Sequence, residues 1–252
     1  MSEQAPKRLN KYISDTGLCS RREADKLIEQ NRVTVNNQPP ELGTKVGPGD
    51  TVKVDGKVVG AVASDKSDRV YIVYNKPIGI TCTTERHVKG NIIDAIGHKE
   101  RIFPVGRLDK PSEGLIILTS DGDIVNKILR AENAHDKEYE VTVNQPISER
   151  FVNRMSRGGP ILGTVTKPCV VKPTGKNTFT IILTQGLNRQ IRRMCEFLGY
   201  EVTKLKRTRI MHLELGSLKP GQWRNLTSRE LTIMQNAVRS STKTASKVEL
   251  RK

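Results

Sequence analysis

The chain has 252 residues, which is enough for one large domain or two smaller ones. It carries 43 lysines and arginines against 27 aspartates and glutamates, so its formal net charge is +16. A globular protein this basic usually meets a polyanion, and nucleic acid is the leading candidate. Aromatic residues make up only 4% of the chain, so binding cannot depend on many stacking platforms.

The cysteines and histidines are spread without a metal-binding pattern. The four cysteines form no CxxC motif, and the four histidines form no HExxH motif. This spacing argues against zinc and against a disulfide scaffold, so we expect no metal and a reducing, cytoplasmic environment. No apolar run approaches the ~20 residues that a membrane helix needs, and the first residues have no signal-peptide core. We therefore expect a cytoplasmic protein that does not enter the membrane.

The first fifty residues predict a small domain of two helices and short strands. Leu9, Tyr12 and Ile13 recur at helical spacing, which predicts a first helix. Gly17 follows and can end that helix by taking a left-handed conformation. Alternating residues then predict strands, which are separated by turns, at 33–37 and 51–54.

A capping box begins the second helix. The Ser20 hydroxyl can accept from the backbone of Glu23, and the Glu23 carboxylate can reach back to Ser20. Arg21 and Arg22 follow in the first turn, where the helix dipole does not favour cations. Such a pair suits a bound phosphate. The alternative is that both cations are simply solvated. The dipeptide alone does not decide between a phosphate site and a solvated pair.

Residues 8–54 resemble the S4 RNA-binding domain on the segments RLNKYI, SRREADKLI, VTVNN and VGPGDTVKV. One departure is Asn37, because that family usually has Gly after the VN pair. Asn tolerates positive φ, so the turn can survive. The resemblance implies a domain that binds RNA, and we assign RNA contacts in it to Lys11, Arg21 and Arg22.

Small polar residues at 57–68 predict an interdomain linker. Beyond it, β-propensity and alternation predict strands at 70–74, 115–119, 137–143, 164–171, 179–183, 204–210 and 223–226. Helical spacing and N-cap residues predict helices at 123–130, 148–157 and 228–238, and a further helix within 186–199. From residue 239 the chain is rich in Ser, Thr and Lys, which predicts a disordered tail.

The stretch from 103 to 119 has the most specific pattern in the chain. Gly106 precedes the charged cluster RLDK, Pro111 and Gly114 bracket a turn, and an apolar strand follows. The pattern therefore places the Asp109 carboxylate on a tight loop between two cations. Local chemistry alone favours a surface ion pair over a catalytic group. Loops anchored in this way are, however, where catalytic groups tend to lie.

The sequence GRLDKPSEGL resembles the GRLDxxxxGL signature of the RsuA/RluA-type pseudouridine synthases. NKPIG at 75–79, KEY at 137–139 and GLNRQIRRM at 186–194 are similar to further motifs of that family. The resemblance implies that Asp109 is catalytic, that Tyr139 stacks on the target base, and that Arg192 pairs with Asp109. A core tyrosine on an amphipathic strand explains Tyr139 equally well from its pattern alone.

The last of these motifs predicts a helix with two faces that ends at Gly199. Its core positions are Ile191, Met194, Cys195 and Leu198. Arg189, Arg192 and Arg193 recur on the opposite side. Three guanidiniums on one face repel each other unless phosphates or a carboxylate neutralise them. By this pattern and the resemblance, we assign RNA contacts to Arg107, Leu108, Lys110, Arg189, Gln190, Ile191 and Arg193.

Together these features predict an α+β protein. A small S4-like RNA-binding domain is expected at 7–56, and a linker at 57–68. A larger catalytic domain with a mixed, mostly antiparallel sheet is expected at 69–238, before a disordered basic tail at 239–252. The resemblance implies the isomerisation of uridine to pseudouridine by one aspartate, without a cofactor. Whether that aspartate attacks carbon or removes the 2′ proton is left open by the sequence.

The two-domain layout resembles the RsuA/RluB/RluE/RluF branch of the family, and the segments 154–169 and 186–227 are most similar to its RluF group. This implies a uridine in large-subunit ribosomal RNA as the target, with tRNA-Tyr as a second possible substrate, and a monomeric enzyme. Two alternatives are a non-catalytic RNA-binding or ribosome-assembly protein, and a metal-dependent nuclease that uses Asp109, Asp121 and Asp123.

Overall fold

The structure is a computed structural model, and it describes residues 6–16, 18–41, 43–60, 69–129 and 135–239. The chain forms two compact units, which divide between residues 68 and 69. No helix in the described ranges is long and apolar enough to cross a membrane. The predictions for Gly17, for linker residues 61–68 and for the tail beyond residue 239 lie outside the described residues.

The first unit is built from two helices and five short strands within its described residues. These elements are β1 Lys7–Arg8, α1 Leu9–Asp15, α2 Arg21–Glu29, β2 Val33–Val35, β3 Lys45–Val46, β4 Val52–Val54 and β5 Lys57–Val58. Strands β2, β4 and β5 form an antiparallel sheet, and β1 pairs with β3. The core contains Leu9, Ile13, Ala24, Val33, Val46, Val52 and Val54.

Two local predictions for this unit are confirmed. The Ser20 side chain accepts from the Glu23 backbone, and the Glu23 carboxylate accepts from the Ser20 backbone, so the capping box is complete. Asn37 has a φ of 65°, which is the left-handed conformation that an asparagine tolerates at this turn. The capping box and the backbone angle both depend on residues that are close in sequence, and that is why a sequence pattern could predict them.

The second unit contains a nine-stranded sheet within its described residues. Its strands are β6 Tyr71–Lys76, β7 Phe103–Val105, β8 Glu113–Thr119, β9 Lys137–Val143, β12 Val170–Gly175, β13 Thr178–Leu183, β14 Val202–Ile210, β15 Leu213–Glu214 and β16 Trp223–Asn225. The order is β12-β13-β9-β14-β8-β6-β16, while β15 pairs with β14 and β7 pairs with β8. Only the β14–β8 pair is parallel in this described sheet. The predicted mixed, mostly antiparallel sheet is therefore confirmed.

Helices cover both faces of this sheet. One core contains residues from α3 Ile92–Ile96, α5 Glu149–Arg157 and α6 Gln190–Phe197. The other core contains residues from α4 Gly122–Leu129 and α7 Ser228–Val238. A two-stranded hairpin, β10 Pro160–Ile161 with β11 Thr164–Val165, follows α5. The single strand predicted at 164–171 is wrong, because two strands, β11 and β12, share that segment.

The N-terminus of α7 carries a second capping box, which the sequence also predicts. The Glu230 carboxylate accepts a hydrogen bond from the Thr227 backbone N–H at 2.8 Å. It also accepts hydrogen bonds from both terminal nitrogens of Arg224, at 2.8 and 2.7 Å. The hydrogen bonds from Arg224 are the largest cause that lowers the pKa of Glu230 from 4.5 to about 2. The ionised carboxylate therefore anchors this helix to β16.

Replacing Glu230 with Gln should lower the free energy of unfolding by about 1 kcal/mol at neutral pH, because the cap and the ion pair weaken. The folded pKa lies below the unfolded one, so this stabilisation is complete above pH 4.5 and disappears as the pH falls towards 2. Urea denaturation of both proteins at neutral pH and at about pH 3 would check this. A difference between them that stays constant at both pH values would contradict the assignment.

Candidate active site

The loop between β7 and β8 is fixed by backbone contacts on both sides. The Ser112 N–H donates to the Asp109 carbonyl at 2.9 Å, which closes a tight turn. The Gly79 N–H, in the loop after β6, donates to the Lys110 carbonyl at 2.8 Å. Strand β8 then continues into the centre of the sheet. Asp109 is therefore presented by a loop that has little freedom to move.

Arg192 supports this loop from α6. Its Nη1 donates to the Val202 carbonyl at 3.1 Å, and its Nη2 donates to the Ser112 hydroxyl at 3.1 Å and to the Pro111 carbonyl at 3.4 Å. The residue is buried. Burial is the largest cause that lowers the pKa of Arg192, and the nearby Asp109 charge opposes this effect. A buried guanidinium thus holds the backbone that carries Asp109.

The direct ion pair of Asp109 is with Arg189, whose Nη1 lies 3.6 Å from Oδ2. The pairing that the sequence predicted for Arg192 is corrected, since no other cation lies within 4 Å of Asp109 in the described part of the chain. The cause is local. Arg189 precedes the first residue of α6 with a left-handed φ of 50°, so its side chain leaves the helix and reaches the loop. The predicted face shared by three arginines is also wrong, because Arg192 is buried while Arg189 is exposed and Arg193 is half-buried.

Tyr139 lies on β9, on the sheet face that packs against α5 and α6. The residue is only 8% exposed, and the Arg207 guanidinium carbon lies 5.9 Å from the centre of the Tyr139 ring. In the sheet, Tyr139 pairs with Arg207, and Arg207 pairs with Gly114 on the strand that follows the Asp109 loop. Neighbouring strands are ~4.8 Å apart, so two strand spacings separate the Tyr139 backbone from that strand.

Comparisons with known proteins agree with this arrangement. Residues 70–197 match the family model for RNA pseudouridylate synthase, and residues 7–52 match the model for the S4 domain. The chain belongs to the RNA pseudouridylate synthase family. It is therefore an isomerase that acts on RNA, and the predicted activity is favoured over the non-catalytic alternative.

Curated relatives extend this result over most of the chain. The dual-specificity RNA pseudouridine synthase RluF of Salmonella typhi is 54% identical over 94% of this chain and 82% of its own length. The RluF protein of Escherichia coli K12 is 55% identical over 93% of this chain and 80% of its own length. A crystal structure of a pseudouridylate synthase superposes with a TM-score of 0.66 at 25% identity, over 90% of this chain and 99% of that chain. The predicted family and the predicted fold class are confirmed.

The residues that the sequence assigned to RNA contact fall into two groups in this synthase. Exposed or half-buried side chains belong to Arg107, Lys110, Arg189, Arg193, Lys11, Arg21 and Arg22. The other group is buried and consists of Leu108, Gln190 and Ile191. These side chains face the protein interior, and their assignment to RNA contact stays a prediction. Gln190, for example, accepts from the Leu187 N–H at 3.0 Å and shapes the start of α6.

Two buried cations near the site were not recognised from the sequence. Lys76 is fully buried and donates to the carbonyls of Pro77 and Ile80 at 2.9 Å each. NKPIG matches a family motif, but the sequence pattern gave Lys76 no site role. Arg207 is only 4% exposed, although it belongs to a run at 204–210 that is rich in cations and is typical of an exposed strand. Strand alternation has a period of two and does not say which set of side chains is buried.

The nuclease alternative relied on Asp121 and Asp123, and the structure uses Asp121 differently. Its carboxylate accepts from the Tyr71 hydroxyl at 2.8 Å and from the Asp123 N–H at 3.0 Å at the beginning of α4. The Asp121 carboxylate therefore serves the beginning of α4. These hydrogen bonds also explain the burial of an aspartate that otherwise would be costly.

Proposed function

We propose that Asp109 is the catalytic carboxylate of this synthase, that Tyr139 stacks on the target uracil, and that Arg189 and Arg192 control the charge and position of Asp109. The ion pair between Asp109 and Arg189, on a loop that Arg192 supports, carries this proposal. Asp109 is about one-third exposed, so an extruded nucleoside can reach it.

The reaction requires a single ionised carboxylate. The C1′–N1 bond of uridine breaks, the uracil turns, a C1′–C5 bond forms, the C5 proton leaves and N1 gains a proton, so the product is an isomer of the substrate. Both possible roles of Asp109, attack on C1′ and removal of the 2′ proton, need the ionised form. Arg189 provides a guanidinium 3.6 Å from the Asp109 carboxylate, which is close enough to pair with this charge.

The target base must leave the RNA stack before it reaches Asp109. Extrusion costs a few kcal/mol, and stacking on an aromatic ring returns ~1–3 kcal/mol per base. Tyr139 lies on the sheet face that supports this role, while Arg107 and Lys110 are exposed on the catalytic loop for contacts to phosphate. These roles extend the family assignment to particular residues of this chain.

We further propose that the substrate is a uridine of large-subunit ribosomal RNA, with tRNA-Tyr as a second substrate, and that the enzyme acts as a cytoplasmic monomer. The dual-specificity names of the RluF relatives and the S4 match support a structured RNA target. We also propose that residues 7–56 bind RNA, that residues 57–68 link the domains, and that residues 69–238 catalyse the reaction.

Tritium release from RNA labelled with [5-³H]uridine tests the reaction directly, because the C5 hydrogen leaves only when the new C1′–C5 bond has formed. Large-subunit ribosomal RNA should release tritium and keep its length. Release from tRNA-Tyr transcripts would support the second substrate. RNA that is cleaved, or that releases no tritium under any condition, would contradict the proposed function.

The start of α2 should contribute to RNA capture rather than to chemistry. Arg21 and Arg22 are exposed there, and each phosphate contact contributes about 0.7 to 0.9 to the salt slope of binding. Changing both to Ala should therefore weaken binding and reduce the slope by roughly 1 to 2, without a change in the rate at saturating enzyme. Binding titrations at several salt concentrations measure this.

Arg32 provides a matched control in the same unit, because its guanidinium is already paired with Asp55 at 2.7 Å. Arg32→Ala should leave the salt slope unchanged. If the Arg21 and Arg22 double variant kept the wild-type slope as well, this end of α2 would not face RNA.

A further inference from the structure

Arg207 lies in a row of side chains that crosses the sheet on the face that contains Tyr139. Ile181, Tyr139 and Arg207 are direct cross-strand partners on β13, β9 and β14. Directly opposed residues project from the same face of a sheet. The Arg207 guanidinium consequently lies beside the Tyr139 ring, 5.9 Å from its centre, which is within the range of a cation–π contact.

The same residue is attached to the strand that follows the Asp109 loop. Its Nε donates to the Leu115 carbonyl on β8 at 2.7 Å. The strands approach closely at this point because Gly114, with a φ of 112°, has no Cβ, and a Cβ there would collide with the backbone of Arg207. One side chain therefore joins the ring on β9 to the strand that carries the catalytic loop.

Stability does not explain this arginine. Arg207 is buried, and its Nη2 has no hydrogen-bond partner in the described residues. No carboxylate of the described chain lies within 4 Å of its guanidinium. Two more buried cations, Lys76 and Lys137, are close enough that Arg207 contributes to the lowering of their pKa values, after the larger effect of burial. Apolar residues of similar size commonly replace buried charges without loss of stability.

We propose that Arg207 is a positioning residue of the pseudouridine synthase reaction, which fixes the Tyr139 ring relative to the strand that follows Asp109. This inference rests on the proposed stacking role of Tyr139. The guanidinium holds the ring by the cation–π contact, and the hydrogen bond to Leu115 fixes the guanidinium in turn. A ring held in this way is ready to receive the uracil without first losing its own freedom, which is what preorganisation contributes to catalysis.

The test is a double-mutant cycle on single-turnover tritium release, with large-subunit ribosomal RNA labelled with [5-³H]uridine as the probe and enzyme in excess. Arg207→Met should lower the maximal rate by roughly 10- to 30-fold, in line with a desolvated cation–π contact. RNA affinity should stay within about twofold. The melting temperature should change little, because removing a buried unpaired charge offsets the loss of the donor to the Leu115 carbonyl. Arg207→Lys, which keeps the charge, should recover part of the rate.

Tyr139→Leu should be slower than wild type, and adding Arg207→Met to it should cause no further loss, because the two residues then act as one unit. Arg209→Met is a matched control, because Arg209 lies on the same strand but pairs with Glu138 at 2.8 Å, and it should keep the wild-type rate. Three results would overturn the inference. Arg207→Met could keep full activity, or the double variant could show the product of the two single losses. The loss of rate could also accompany a lower melting temperature in both Arg207→Met and Arg207→Lys. Full activity of Tyr139→Leu would overturn the stacking role as well.

Discussion

The Asp109→Asn variant is expected to lose pseudouridine formation by ~10⁴-fold or more, because removing a residue that performs the covalent or proton-transfer step has effects of that size. The amide is nearly the same size as the carboxylate, so the turn closed by the Ser112 N–H should persist. RNA affinity should therefore stay within a few-fold of wild type. Single-turnover tritium release and a binding titration measure the two quantities separately.

Asp136→Asn is the matched control for this change. Asp136 has an exposed carboxylate in the same unit, and this carboxylate lies 4.0 Å from the Arg209 guanidinium. An exposed ion pair of this kind contributes little to stability, so the control should keep the wild-type rate. If Asp109→Asn retained more than about one-hundredth of the wild-type rate, its carboxylate would not be the group that does the chemistry.

The second large effect is expected at Arg192. Arg192→Leu leaves the Val202 and Pro111 carbonyls and the Ser112 hydroxyl without their donor. Unsatisfied buried acceptors cost ~1–3 kcal/mol each, so we expect the free energy of unfolding to fall by about 2–4 kcal/mol. The rate should fall by roughly 10²-fold or more, because the loop that carries Asp109 loses its support and small misplacements are costly. Chemical denaturation and single-turnover rates measure these effects.

Arg189→Met tests the ion pair with Asp109 separately from the support that Arg192 gives to the loop. Arg189 is more than one-third exposed in its pair with Asp109, so its loss should change the free energy of unfolding by less than about 1 kcal/mol. Its effect should appear in the rate alone. If Arg192→Leu were as stable as wild type and Arg189→Met were destabilised instead, the roles that we assign to the two arginines would have to be exchanged.

The sequence predicted the features that depend on neighbours along the chain. The capping boxes at Ser20 and Thr227, the positive φ at Asn37, and the tight loop around Asp109 are all local, and each is present in the structure. The family signature additionally identified Asp109 and Tyr139 as the residues to examine. The catalytic roles of these two residues stay predictions.

The features that the sequence missed depend on contacts between distant segments. A helical pattern places Arg189 and Arg192 on one face, but α6 begins after Arg189, so the left-handed residue turns out of the helix and takes the contact expected of Arg192. Arg207 looked like one of several cations on a strand. Its burial follows from the pairing of β14 with both β8 and β9, and no local pattern encodes that pairing.

Pseudouridine mapping in ribosomal RNA tests the account most directly. A strain that lacks this gene should lose pseudouridine at a defined position of large-subunit ribosomal RNA. The wild-type chain should restore that position, while the Asp109→Asn chain, produced at the same level, should leave it as uridine. Restoration by the Asn chain would show that the Asp109 carboxylate is not required, and the assignment of the catalytic group would then be wrong.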